Sequence, residues 1–368
     1  GGGQFQSGTL LIQGLAPEQI QSIIIKERDE KLAIQRSGNG FVLPGKKGYP
    51  ASVDKINDLL IDALDIRCAE TVTSSPGKHA ALGVTEDSAD ATVVSFNNAE
   101  GERLIGFVKG KSPESGQGAY VRLLGEDTVY TTEEHFSINT KATDYVDKTV
   151  LEVEKDKVQT VKVELPHSSY VLKRGEDDEP VLQNVPEGKE PKDSAVENVF
   201  GALSSLRIKD LQRADEVDEQ FDVSYRAELE GKLAYVVKSA EKDDTFYIRV
   251  SAEGPDVEQV TVERTESEES LKEKDALLQA SDKAREFNAR HGGWVYELAS
   301  YKAEKFRKPL SDMVEEVEEE EAETPEEIGA RHILISYKGA ERSETTRSKE
   351  EAKKLAEKVL KEVGAEGA

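Results

Sequence analysis

The sequence predicts an α+β fold made of two tandem sheet-plus-helix repeats, an acidic linker and a partial strand-and-helix unit at the C-terminal end. Three observations predict it. A strand, hairpin and helix, followed by further strands, occur near the start and recur after residue 150. A glutamate-rich block then interrupts the chain. Beyond it lies a last strand, a basic loop and an amphipathic helix.

Residues 1–18 read as an N-terminal linker. It opens Gly1-Gly2-Gly3, without an initiator Met, as a processed end or a flexible join does, and carries the apolar run Leu10-Leu11-Ile12. Repeat 1 is assigned to residues 19–150. Ile20–Lys26 and Lys31–Arg36 read as strands, Ser37-Gly38-Asn39-Gly40 as a turn, and Phe41-Val42-Leu43 as the sheet resuming. Ser52 suits a helix N-cap. Val53, Ile56, Leu59, Leu60, Ala63 and Leu64 then share one helical face. Strands at Ala91–Phe96, Arg103–Val108, Ala119–Leu124 and Thr128–Thr131 complete the unit.

Repeat 2 is assigned to residues 151–254. Val158–Leu165 and Tyr170–Lys173 are its first strands, and Val181-Leu182 matches Val42-Leu43. Val196, Val199, Phe200, Leu203 and Leu206 form the second helix face. Leu206-Arg207-Ile208-Lys209 matches Leu64-Asp65-Ile66-Arg67. Strands at Phe221–Leu229, Lys232–Lys238 and Thr245–Val250 follow. A period of roughly 140 residues is too long for a solenoid and fits a duplicated domain.

Residues 255–313 read as a closing segment, with a possible strand over 257–262, a helix over Leu277–Asn288, and the only Trp in His291-Gly292-Gly293-Trp294-Val295-Tyr296. Residues 314–327 form the acidic linker, since a like-charge block repels itself and stays extended.

Residues 328–368 suggest a chemistry. Ile333, Ile335 and Tyr337 alternate as in a strand. After a Lys/Gly/Arg loop, Ser348 and Glu351 form a capping box. Ala352, Leu355, Ala356, Val359, Leu360 and Val363 make one apolar helix face. The residues His332-Ile333-Leu334-Ile335, Tyr337-Lys338-Gly339-Ala340 and Thr346 to Ala352 resemble the opening of a parvulin-type peptidyl-prolyl isomerase. The resemblance implies that His332 is one of the paired active-site histidines and that Lys338, Arg342 and Arg347 face the substrate. The second histidine, the substrate-pocket hydrophobes and the remaining strands of that family lie outside this chain. Parvulins work without metal or covalent chemistry, easing rotation about an amide whose barrier is about 18–20 kcal/mol. As alternatives, His332 is a strand-end residue and the cations line a solvated loop, with Glu341 and Glu344 between them.

The body, over roughly residues 10–313, resembles the envelope family called domain of unknown function 4340. Ile20–Ile25 and Trp294–Lys302 carry most of that likeness. It implies a bacterial envelope protein on the extracytoplasmic side, periplasmic or at the cell surface. It also implies a tether by a helix upstream of Gly1 and association with an ABC-type transport complex. The family brings no catalytic residues with it.

Charge narrows the partners. Lys and Arg number 49 against 74 Asp and Glu, for a formal charge of −25. That disfavours nucleic acid, whose binding rests on neutralising phosphates, and anionic lipid. One cysteine, Cys68, excludes an internal disulfide and a multi-cysteine metal site. His79, His135, His167 and His291 show no metal-ligand spacing, and no phosphate-binding or dinucleotide motif occurs. No cofactor or metal is expected. Trp294 and Tyr296 read as packing residues.

Three functions follow as expectations: an envelope interaction or scaffold protein; a peptidyl-prolyl isomerase or chaperone acting on proline-containing clients once its C-terminal domain is complete; or a self-assembling surface or filament subunit.

Overall fold

The computed structural model describes residues 5–258, 260–317 and 333–366. They form two compact units, one up to Glu316 and one from Val317. Both helices and antiparallel sheets are present, so the fold is α+β.

In the first unit, β1 (Thr9–Leu10) lies in the segment read as the N-terminal linker and pairs into the sheet of repeat 1, which continues with β2 (Ser22–Glu27), β3 (Glu30–Ser37), β4 (Gly40–Leu43) and β5 (Tyr49–Pro50). Helix α1 (Val53–Leu64) follows, then β6 (Arg67–Thr73), a short helix α2 (His79–Leu82), β7 (Thr92–Asn97), β8 (Arg103–Lys109), β9 (Tyr120–Leu123) and β10 (Val129–Thr132). Repeat 2 contains β11 (Thr149–Leu151), β12 (Val158–Leu165), β13 (Ser168–Arg174), β14 (Pro180–Leu182), β15 (Lys189–Pro191) and helix α3 (Asp193–Phe200). It continues with β16 (Leu206–Arg207), β17 (Asp210–Arg213), β18 (Val223–Leu229), β19 (Ala234–Lys242), β20 (Thr245–Glu253), helix α4 (Glu268–His291) and β21 (Trp294–Leu298). Helix α5 (Ser300–Arg307) and β22 (Val314–Glu316) end the unit.

The two large sheets share one topology. From β4, the first runs β4-β3-β2-β7-β8-β9-β10-β6; from β14, the second runs β14-β13-β12-β18-β19-β20-β21-β17. Even the small pairing of β1 with β6 has its counterpart in β11 with β16. The repeats also share an internal clamp. Arg36 Nε donates to the Ile20 carbonyl at 2.8 Å and its Nη2 to Pro17 at 3.1 Å. Arg174 Nε donates to Val158 at 2.9 Å and its Nη2 to Lys155 at 2.5 Å. Arg36 ties β3 to the single helical turn at Pro17–Gln19, and Arg174 ties β13 to the matching turn at Lys155–Lys157.

Strand alternation explains the core. In β2, Ile23 and Ile25 are buried while Lys26 is exposed. Helix α1 presents Ile56, Leu59, Leu60 and Ala63 inward, and α3 presents Ala195, Val196, Val199 and Phe200. These faces enter one hydrophobic core that runs through both repeats. Burial of each such Ile, Leu, Val or Phe side chain is worth about 1.5–3 kcal/mol, more than a typical surface ion pair. The opposite sheet faces are covered differently. In repeat 1, Val84 and Ala91 from the α2 loop pack on Val93, Val108 and Val129. In repeat 2, Ala280 and Ala284 of α4 pack on Leu233 and Ala252.

The repeats meet at an aromatic seam. The Tyr49 ring lies edge-on to Trp294 with centroids 4.8 Å apart and to Tyr296 at 6.3 Å. Lys46 pairs with Asp210 at 2.7 Å and Lys47 with Glu216 at 3.3 Å. Such partly exposed ion pairs contribute about 0–1 kcal/mol each, so the seam rests on its buried rings.

The sequence expectations differ from the structure in several places. Trp294–Leu298 is a strand of the second sheet, between β20 and β17, rather than part of a separate closing segment. Helix α4 begins at Glu268, capped by the Ser267 hydroxyl, instead of at Leu277. Residues 257–262 are not a strand among the described residues. Val314–Glu316, read as the start of the acidic linker, pairs with Lys189–Pro191, because Val314 reaches the core. The rest of the linker, from 318, lies outside the described residues.

Candidate functional site

The second unit is organised by helix α6 (Lys349–Glu366). Its start is fixed by the expected capping box. The Ser348 N–H donates to the Glu351 carboxylate at 2.8 Å, and the Glu351 N–H donates to Ser348 Oγ at 3.1 Å. Two otherwise free helix donors are thereby satisfied. The bonds from Ser348 hold the Glu351 carboxyl below the usual carboxylate range.

The basic loop is closed at its base. Lys338 N–H donates to the Arg347 carbonyl at 2.8 Å, so the backbones of Lys338 and Arg347 stand side by side. Arg342 lies in the turn region with a positive φ of 63°. Lys338 and Arg342 are exposed and Arg347 is half-buried. Among the described residues, none of the three forms an ion pair within 4 Å. Lys349 places its ammonium 5.6 Å from the Tyr337 ring centroid, which fixes the approach of the segment before the loop to the helix. His332, the candidate catalytic residue, lies outside the described residues.

Residues 333–337 are not a strand among the described residues. A strand is defined by backbone pairing, and no described segment pairs with this one. Ile333 is 63% exposed and Leu334 is 94% exposed. The helix keeps its apolar stripe: Ala352 is buried, but Leu360 is 75% exposed. Ile333, Ile335, Val359, Leu360 and Val363 line an open apolar groove.

The body holds a group that spacing did not reveal. His291, at the end of α4, is buried, and its Nδ1 lies 2.6 Å from the Tyr296 hydroxyl. That hydroxyl is 3.3 Å from the hydroxyl of Tyr49. Burial, with the Arg290 cation nearby, pulls His291 down to about 4. Burial also raises Tyr296 and Tyr49, so both keep their protons. Two arrangements satisfy all three groups with His291 neutral: Tyr49 donates to Tyr296 and Tyr296 to His291 Nδ1, or His291 Nδ1–H donates to Tyr296 and Tyr296 to Tyr49. The only signal for it was a histidine five residues before a tyrosine, beside the single tryptophan. The group is sealed from solvent, so it serves packing. His79 is also buried, bonded through Nε2 to the Asp127 carbonyl at 2.8 Å. His135 and His167 are exposed. Among the described residues, no three potential ligands gather as a metal site.

A polar cleft of about 450 Å³ runs along the start of α1, where Asp54, Lys55 and Asp58 face Asp147, Lys148 and Arg207. Its charges nearly balance, so it selects no one sign of ligand.

Comparisons with known proteins agree with the two-part layout. The family model described as domain of unknown function (DUF4340) matches residues 42–224. Ile20–Ile25 and Trp294–Lys302, expected to carry most of that likeness, fall outside this range. The model described as PPIC-type PPIASE domain matches residues 312–368. No curated protein and no solved structure matches the chain. The chain thus carries one region similar to the DUF4340 family model and another similar to the PPIC-type PPIASE model.

Proposed function

We propose that the chain is a bacterial envelope interaction protein whose duplicated body binds protein partners. In this reading it stands on the extracytoplasmic side, tethered to the membrane and associated with an ABC-type transport complex. The observation that carries the reading is the DUF4340 match over a body with two copies of one sheet topology. Among the described residues, no helix is long and apolar enough to cross a membrane, so the tether would be a segment outside them. Isolation of the native protein from membranes, with crosslinking and copurification, tests the proposal. Recovery with an ABC-type complex supports it; a cytosolic, partner-free monomer overturns it.

The PPIC-type match and the capping box support a second activity, peptidyl-prolyl isomerisation on client proteins. Here His332 orients a hydrogen-bond network beside the twisted amide, and Lys338, Arg342 and Arg347 meet an acidic group before the proline. Proline isomerisation by the full-length gene product is expected to fall more than about tenfold on His332→Ala. Equal rates would remove His332 from the mechanism.

Self-assembly through sheet edges is a weaker reading. Pro50 and Pro180 sit on terminal strands, where each removes a backbone donor. Light scattering that rises with concentration would restore it.

A further inference from the structure

The two walls of the seam between the repeats are held unequally. On the repeat 2 side, Trp294–Leu298 is bonded into its sheet along both edges, by β20 and by β17. His291 stands behind it at the end of α4, its ring centroid 4.5 Å from that of Phe287 and its Nδ1 bonded to Tyr296. On the repeat 1 side, Tyr49 belongs to β5, a two-residue strand at the end of its sheet, paired with β4 through Leu43 and Val42. A turn with two positive φ angles, 55° at Lys47 and 79° at Gly48, leads into it. The Tyr49 hydroxyl nevertheless reaches across to that of Tyr296 at 3.3 Å.

The surroundings of His291 offer its charged form no counter-ion. Arg290, beside it on α4, opposes a second positive charge. Arg213 of β17 lies over the neighbouring Trp294 ring at 5.0 Å. Tyr296 of β21 and Tyr49 of β5 both keep their protons. Asp147, just before β11, acts on Tyr49. Among the described residues, Tyr296 is the one hydrogen-bond partner of His291, and no carboxylate pairs with it. A protonated ring keeps that bond by donating through Nδ1, so burial of an unpaired charge is what opposes protonation. Water at the ring relieves that cost. Of the two walls, the short terminal strand that carries Tyr49 gives way first, because the fewest backbone bonds hold it.

We propose that His291, Tyr296 and Tyr49 form an acid-released latch between the repeats: the neutral chain of three groups closes the seam, and protonation of His291 frees β5 and its Tyr49 ring from repeat 2 while both sheets stay folded. Burial pulls His291 from its ordinary 6.5 down to about 4. The proton therefore prefers an exposed ring to the buried one by up to about 300-fold, and acidification through that window shifts the seam toward its open form by the same factor. Lys46 with Asp210 and Lys47 with Glu216 also span the seam, and their exposure makes them weak. The latch stands apart from the envelope reading, since no partner enters it.

The single tryptophan is a built-in reporter. Trp294 is 9% exposed and meets the Tyr49 ring edge-on. The test follows acrylamide quenching of Trp294 in the full chain, with far-UV circular dichroism alongside, from pH 6.5 to about 4. Quenching is expected to rise several-fold across this range while the circular dichroism holds. His291→Gln, which cannot titrate, is expected to keep quenching at its starting level. Tyr49→Ala, which removes the wall, is expected to show the acid level already at pH 6.5, with no further rise on acidification. The latch is overturned if wild-type quenching stays flat or rises only as the circular dichroism is lost. It is also overturned if His291→Gln follows the wild-type curve, which would assign the opening to the Lys46 and Lys47 ion pairs. Should His291→Gln fail to fold, Tyr49→Ala decides: a pH response like that of the wild type overturns the latch.

Discussion

His291 and Tyr296 meet at 2.6 Å inside the protein, and their bond ties the end of α4 to the strand that contacts the other repeat. His291 is neutral there, held down to about 4 by burial first and by Arg290 second. Its ordinary value is 6.5. Between those values the unfolded chain binds the proton and the folded chain does not, so stability rises with pH across this window. Acidification from pH 6.5 to about 4 should remove up to about 3 kcal/mol through this residue alone. His291→Gln keeps an acceptor for Tyr296 and cannot titrate. Urea unfolding of both forms at several pH values should give a difference that changes across the window. Parallel curves would show that His291 does not carry the dependence.

The paired arginines make a second prediction. Arg36 and Arg174 each serve carbonyls near buried strand starts at Ile20 and Val158. Replacement by Met keeps much of the aliphatic stem but leaves those carbonyls without their donors. Each change should cost about 1–3 kcal/mol. Arg174→Met should cost more, because Arg174 also bonds the Asp178 carbonyl at 2.6 Å. Midpoints of urea unfolding measure both.

Two glycines separate backbone strain from crowding. Gly116 and Gly118 both have positive φ, 76° and 70°. A Cβ on Gly116 meets nothing within 4 Å, so Gly116→Ala should cost about 1–2 kcal/mol for the left-handed backbone alone. A Cβ on Gly118 would overlap the Thr132 carbonyl oxygen. There the neighbouring Ala119 and Thr132 are bonded to one another, so the backbone has little room to yield. Gly118→Ala should lower the thermal midpoint clearly more than Gly116→Ala.

What the sequence revealed follows from the range of each interaction. Strand alternation in Ser22–Ser37 and the helical face of Ile56, Leu59, Leu60 and Ala63 are local patterns, and both are present. The likeness of Leu64–Arg67 to Leu206–Lys209 gave the repeat its register. The place of Trp294–Leu298 was hidden because α4 separates it from its neighbour β20, and sheet pairing leaves no local mark. The acidic run likewise masked Val314–Glu316, whose partner lies far back in the chain at Lys189–Pro191. The first turns of α4 are mostly exposed, so they lack the apolar stripe by which helices are recognised. In the second unit, the capping box was legible because four consecutive residues define it. Alternation at Ile333–Tyr337 supplies a face, but only a partner supplies the ladder, and among the described residues none pairs with this segment.

The capping box gives the last prediction. Ser348 Oγ accepts from the Glu351 N–H, and the Ser348 N–H is held by the Glu351 carboxylate. Ser348→Ala removes the first bond directly and loosens the second, since the turn that aligns Glu351 then frays. Ser348→Asp restores an acceptor and adds a charge favourable to the helix start. Amide hydrogen exchange of the full chain should therefore show several-fold faster exchange at Glu351 in the alanine variant, with protection regained in the aspartate variant. The amides of β12 and β18 serve as the reference, because their ladder lies in the other unit. If the helix start were held chiefly by the contact of Lys349 with Tyr337, alanine at 348 would leave exchange unchanged, and Tyr337→Leu would accelerate it instead.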